Sequence, residues 1–254
     1  MSSIAEWTDL GNPFPRLVPN CYTPITWPKG KLIQLPLTIT AEERQASVIN
    51  ILLRRRTRRH FSDIGIDSLG SLLWISCRTQ ELGSTHLGFP LSRRPCPSGG
   101  GIHPIHLLVL LPQENCWYRY DPREHALHET PSKLDATIVK NSMQNIVAAP
   151  SATLLLLAAE PGMTAAKYEA SASVVWRDAG VMLGILAVAA EALDLSFCPL
   201  GVTGEPWVSQ LLEQPGLFGV GGAFVGTTPP LDEPAARTSD DERGRTPAKL
   251  PPIN

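Results

Sequence analysis

Between Leu53 and Phe61 the chain sets five arginines, a threonine and a histidine in succession, Arg54-Arg55-Arg56-Thr57-Arg58-Arg59-His60. Forked guanidinium donors with a hydroxyl among them suit a phosphate, because planar N–H pairs match its oxygens two at a time. The same run would equally serve as a solvated basic patch at a helix C-terminus, where positive charge complements the dipole. A second segment, Arg93 to Pro104, reads RRPCPSGGGIHP. Three successive glycines let the backbone approach a flat or anionic ligand closely, and a flexible loop is the alternative. The segment is neither a P-loop nor a dinucleotide fingerprint, since GK[ST] and GxGxxG are both absent. A third feature is Lys167-Tyr168, just ahead of a long apolar stretch. A lysine beside an apolar pocket can serve as a base near neutrality, whereas an exposed Lys-Tyr pair is the common alternative.

Other chemistries find less support. The six histidines are His60, His86, His103, His106, His125 and His128; His103 and His106 are three apart, but their segment reads as loop running into strand, and no HExxH or Cys/His set accompanies them. No metal site is expected on that pattern. GxSxG does not occur, which argues against a serine hydrolase.

These segments need elements to position them. Thr40-Ala-Glu-Glu43 has capping-box form, and Val48, Ile51 and Leu52 recur at helical spacing, so a helix is expected from Thr40 into the basic run. A second helix is expected from about Asp67, burying Leu69, Leu72, Leu73 and Cys77. Residues 83–104 read as a Gly/Pro/Ser-rich loop. Strands are expected at Ile105–Leu111, Cys116–Tyr120, Ala126–Glu129 and Thr153–Ala159, with a turn at Asp121–Glu124 and a helix over Ser132–Val147. The longest helix spans Ser171–Leu193. An extended Cys198–Gly201, a short helix at Pro206–Leu212 and a final strand at Gly222–Gly226 complete the pattern. Helices and strands mix without βαβ alternation, which points to an α+β architecture.

Around this core, residues 1–39 form a Pro-rich arm, residues 40–227 the folded domain and residues 228–254 a mobile tail. The tail region from Thr227 holds six prolines and nine charged side chains, too little apolar surface to offset chain entropy. The chain has 254 residues, 43% of them hydrophobic and 18% charged, the balance of a globular protein with one substantial core. A net charge of −2 argues against a nucleic-acid partner. Five widely spaced cysteines without a CxxC pair fit a reducing, cytoplasmic setting better than a disulfide framework. The first residues carry neither a basic nor an apolar leader region. The most apolar stretch, Ala179–Ala190, is short of the roughly 20 residues a bilayer needs, so it reads as a core helix and no membrane association is expected.

Together the motifs resemble the nitroreductase-like flavoproteins. Arg55–Phe61 is similar to that family's RRSxRxF, with Thr57 for Ser. Arg93–Ile105 resembles the RRPxPSGGaxxPIE signature of the SagB/microcin-type dehydrogenases, which oxidise azolines to azoles in ribosomal peptides. Trp117-Tyr-Arg-Tyr-Asp-Pro122 resembles the same branch's vYxYdp hairpin. Lys167-Tyr168 is similar to the branch's catalytic Lys-Tyr pair, although Glu169–Ser173 replaces its RGYR-like continuation and the last strand ends without the usual basic residue.

The resemblance implies a nitroreductase-like fold, a central mainly antiparallel sheet flanked by helices, in a homodimer with FMN at each of two interface sites. Arg55, Arg56, Thr57 and Arg59 would hold its phosphate and ribityl groups. Pro97, Ser98, Gly99 and Gly100 would line the isoalloxazine, reaching it from the neighbouring subunit. The implied reaction is aromatisation of a thiazoline or oxazoline in a peptide-like substrate. Lys167 or Tyr168 would be the base, flavin N5 the hydride acceptor, and a cyclodehydratase the working partner. A general NAD(P)H-dependent nitro- or flavin reductase, or a flavin-free scaffold subunit, are the alternatives.

Overall fold

The computed structural model describes residues 8–229. Its first portion is mostly irregular and contributes two short strands, β1 (Phe14–Pro15) and β2 (Leu32–Gln34), while burying Trp27 and Leu35. Where one helix is expected, the chain forms two, α1 (Ala41–Gln45) and α2 (Val48–Arg54). The capping box is present: Glu43 N donates to Thr40 Oγ1 at 3.2 Å and Thr40 N to Glu43 Oε2 at 2.7 Å. Ala46 then leaves helical geometry, and Ser47 accepts from Asn50 N as the cap of the next helix. Serine competes well for an N-cap, so a second start interrupts the first helix. Arg55 is already non-helical, and the basic run leaves the helix behind.

The helix α3 (Gly65–Cys77) buries Leu69, Leu72, Leu73 and Cys77, as their spacing predicts. The expected loop that follows contains a hairpin of β3 (Glu81–Gly83) and β4 (Leu91–Arg93). Next come β5 (Ile105–Leu110), β6 (Tyr118–Asp121), β7 (Ala126–Glu129), α4 (Ala136–Gln144) and β8 (Thr153–Ala159). A short helix α5 (Pro161–Lys167) and strand β9 (Tyr168–Glu169) lead to α6 (Ala172–Ala192), β10 (Leu195–Leu200) and β11 (Phe218–Thr227). Residues 206–212 form turns with three-residue hydrogen-bond spacing, such as Leu211 N to Val208 O, instead of the expected helix. Val208 and Leu211 of this segment are buried all the same.

The main sheet runs β10-β11-β8-β5-β6-β7-β2, and every neighbouring pair is antiparallel. Strand β8 is buried at all seven positions because both of its faces are covered. Leu155 and Leu157 face the cluster containing Leu69, Leu72 and Leu73 of α3 and Met182 and Leu186 of α6. Leu154 and Leu156 face the opposite cluster, with Val139 and Met143 of α4 and the buried Val208 and Leu211. The fold is therefore the expected α+β one, a central antiparallel sheet with helices on both sides.

Helix α6 is longer than its most apolar stretch. It has 21 residues and a stretch of mean hydropathy 1.5, enough by length and composition to cross a membrane. Here it lies against β10, β11 and α3 with nine of its side chains buried, so its apolarity serves the core. All five cysteines are free thiols. The tail expected to be mobile falls almost entirely on residues 230–254, outside the described residues.

Truncation of a fully buried β8 side chain tests this packing. Leu155→Ala is expected to cost about 2–5 kcal/mol in chemical denaturation. Ile138→Ala, on the exposed side of α4, is expected to stay within about 0.5 kcal/mol of the parent.

Candidate active site

The tri-glycine segment folds into a single tight turn over Gly99–Gly101, with Gly100 at φ 68° and Gly101 at φ 70°. Both lie in the left-handed region, where a Cβ is disfavoured, so the glycines are there for the turn itself. Its anchor is Asp178 on α6, a buried carboxylate. Ser98 Oγ donates to Asp178 Oδ2 at 2.5 Å, Gly99 N donates to Oδ1 at 3.0 Å, and His103 N donates to Ser98 Oγ at 2.9 Å. A Cβ at Gly99 would collide with Val174 of α6, which shows how closely the turn lies on that helix.

Lys167 and Tyr168 meet this turn. Lys167 Nζ donates to Gly100 O at 3.3 Å, and a Cβ on Gly100 would stand 2.8 Å from Lys167 Nζ and 2.7 Å from the Tyr168 hydroxyl. The pair sits where α5 ends and β9 begins, and the N-terminal arm holds that junction. Arg16 N donates to Lys167 O at 2.9 Å, Arg16 Nε to Ala165 O at 2.8 Å and Asn20 N to Ala166 O at 2.8 Å. Pro15 pairs directly with Tyr168 through the β1–β9 ladder.

The basic run lies elsewhere on the same helix. Arg54 and Arg58 both reach the buried Glu191 near the end of α6, each at 3.1 Å, and Arg58 also pairs with Asp194 at 2.9 Å. Their guanidiniums are spent on the fold. Arg55, Arg56, Thr57 and Arg59 are exposed, and none of these arginines has a carboxylate partner among the described residues. Arg59 reaches the Cys198 thiol and opposes the upward push that burial gives it.

The sequence-derived residues thus fall into two groups. Pro97–Gly100 joins Lys167–Tyr168 beside Asp178, while Arg55–Arg59 gathers beside Glu191. Thirteen residues of α6 separate the two anchors, roughly 20 Å at the rise of an α-helix. The sequence reading did not single out Arg16, Asp178 and Glu191 as positioning residues. A signal for the last two existed: they are the only acids in an otherwise apolar helix, and a buried carboxylate requires donors.

An antiparallel seven-stranded sheet enclosed by helices, with a bare glycine turn facing a Lys-Tyr pair, defines an α+β fold. The profile of the nitroreductase family matches residues 52–226. The chain belongs to the nitroreductase family, a family of flavin-type oxidoreductases. Among solved structures, it resembles a Ralstonia eutropha protein assigned as a nitroreductase, at 19% identity and a TM-score of 0.56, covering 86% of this chain and 98% of the other. It is also similar to a chain of the Escherichia coli microcin synthetase McbBCD complex with truncated pro-MccB17 bound. That match has 16% identity and a TM-score of 0.56, and covers 82% of this chain and 79% of the other. A comparison with curated proteins finds no match.

The anchoring role of Asp178 is open to measurement. Asp178→Ala is expected to lower stability by about 1–3 kcal/mol, since it leaves the Ser98 and Gly99 donors unpaired. It should also accelerate hydrogen exchange at the Gly99 amide; an unaltered exchange rate would mean that the turn is held by something else.

Proposed function

We propose that the protein is an FMN-dependent dehydrogenase that aromatises azoline rings, thiazolines or oxazolines, in a peptide or peptide-like substrate. The observation that carries this reading is the placement of Lys167 Nζ 3.3 Å from Gly100 O, with the Tyr168 hydroxyl beside it. The residues fit the cofactor. The absence of a side chain at Gly100 is what lets Lys167 and Tyr168 close on the turn, and Pro97, Ser98, Gly99 and Gly100 offer a flat ring a wall of backbone. Arg55, Arg56, Thr57 and Arg59 supply guanidiniums and a hydroxyl of the kind a phosphate takes.

Bound there, FMN would supply a two-electron acceptor. The remaining work belongs to the chain. Lys167 or Tyr168 removes the proton from the ring carbon, the arm fixes the backbone on which they stand, and Asp178 holds the turn in position. A peptide substrate and work within a complex are suggested by the likeness to the microcin synthetase complex, and the motif resemblance implies a cyclodehydratase as the partner.

The roughly 20 Å between the two groups along α6 argues that a second copy completes each site. An apolar surface suits such pairing. On α2, Val48, Ile49, Leu52 and Leu53 are exposed, and α2 packs against α6, which exposes Trp176 and Val181 beside the open Gly180 and Gly184. A general NAD(P)H-dependent nitro- or flavin reductase is the second reading, favoured by the likeness to the Ralstonia eutropha protein.

The purified protein is expected to be yellow, with about one FMN per chain. Arg55→Ala should release it, and Leu53→Arg should yield a monomer in sedimentation that has lost it as well. Oxidation of a thiazoline peptide without NAD(P)H supports the dehydrogenase, while rapid bleaching of the flavin by NAD(P)H supports the reductase. A colourless protein that refuses FMN turns the reading to a flavin-free scaffold.

A further inference from the structure

Beyond the glycine turn, Ile102 and His103 form part of the wall of a cavity of about 230 Å³ that the proposed reaction does not use. Its volume lies below the roughly 300–1,000 Å³ of a drug-sized ligand's pocket, so a compact ligand is the size it suits. Much of the lining is apolar, from Trp27, Phe89, Ile105, Leu107, Met163 and Met182. The charged lining is lopsided: Arg94, Arg119 and Arg123 against the single carboxylate of Asp121.

These arginines are underused. Arg119 is 12% exposed and donates to Asp121 Oδ2 at 3.2 Å, with its guanidinium 5.2 Å from the centre of the Trp27 ring. Its Nε is buried without an acceptor. Arg94 donates from Nε to Ser92 Oγ at 3.1 Å, and among the described residues it pairs with no carboxylate. Two further acids nearby are committed elsewhere, and Glu124 Oε2 pairs with His128 Nε2 at 2.7 Å. Glu160 accepts from the Tyr22 hydroxyl at 2.9 Å, from Ile25 N at 2.6 Å and from His106 Nε2 at 2.8 Å. Burial pushes both the Arg94 and Arg119 guanidiniums down from their ordinary range, the cost expected of cations held out of water without enough anionic partners. His103, pushed down to about 4 by burial and by Arg94, adds no charge near neutrality. Arg123 is exposed at the solvent end of the cavity, beside the half-buried Pro122 and Pro90.

We infer that this cavity is a binding site for a compact organic carboxylate, whose anionic end pairs with Arg94 and Arg119 and whose apolar body lies against Trp27 and the methionines. A guanidinium fork binds a carboxylate two oxygens at a time. The apolar walls select an organic acid over an inorganic anion, which would leave them in contact with water.

Calorimetric titration of the purified full chain with benzoate, benzamide and inorganic phosphate tests this. Benzoate is expected to bind once per chain and benzamide not to bind. Arg94→Met should weaken benzoate roughly tenfold or more, as loss of a charge-assisted hydrogen bond does. Arg93→Met, which removes an exposed guanidinium paired with Glu81, should leave it unaltered. If Arg94→Met does not fold, as judged by circular dichroism, Arg123→Met is read instead, with a severalfold loss expected. Absent benzoate binding, equal binding of benzamide, binding of phosphate alone, or an arginine variant as tight as the parent would each overturn the site. Titrating Arg55→Ala separates this site from the flavin reading: its benzoate affinity should match the parent's whatever its flavin content. Displacement of benzoate by added FMN would assign the cavity to the cofactor and overturn the inference.

Discussion

A helix as apolar as α6 can carry buried carboxylates only where the fold brings donors to them. It carries two, Asp178 and Glu191, and both of the segments richest in chemistry are tied to them. Asp178 takes the hydroxyl of Ser98 and the amide of Gly99, and so fixes the glycine turn. Glu191 takes Arg54 and Arg58, and so decides which arginines of the basic run are consumed and which face outward. The helix is a ruler with a mark near each end. Its apolar faces bind it to the sheet and to α3, and its two acids set what is held beside it.

That arrangement divides labour within a run of like residues. Arg54 and Arg58 are indistinguishable by type from Arg55, Arg56 and Arg59, yet they neutralise a buried acid and cannot serve a ligand without exposing it. The free guanidiniums and the Lys-Tyr pair then stand far apart on one chain. On the proposed reading a site that uses both is assembled across two copies, and for that reason the apolar surface of α2 and α6 bears on the proposed chemistry as much as on assembly.

Much of the fold was legible in the sequence because its signals were local. Strand β8 is a continuous apolar run of strand length, and it occupies Thr153–Ala159 as expected. Strand β7 follows the turn residues Asp121–Glu124 and matches its expected bounds. Errors arose where two local signals competed. Thr40 and Ser47 are both good caps, so one expected helix became two. The segment Pro206–Leu212 reads as a helix but forms turns that bury Val208 and Leu211. For the site, residue types were informative and distances were not. Nothing local in the chain states that Ser98 lies against Asp178, or that the basic run ends a helix length away from the glycines.

The arm's hold on the α5–β9 junction also bears on how the molecule comes to be folded. The side-chain bonds from Arg16 to Ala165 and Glu169 join residues 149 and 153 positions apart. Closing so long a loop is entropically expensive before other contacts form, and non-local pairings of this kind slow folding. During synthesis Arg16 must wait for a residue 149 positions further along before its partner at Ala165 exists. The backbone that presents Lys167 and Tyr168 is therefore completed late, after the sheet to which α5 is joined has begun to form.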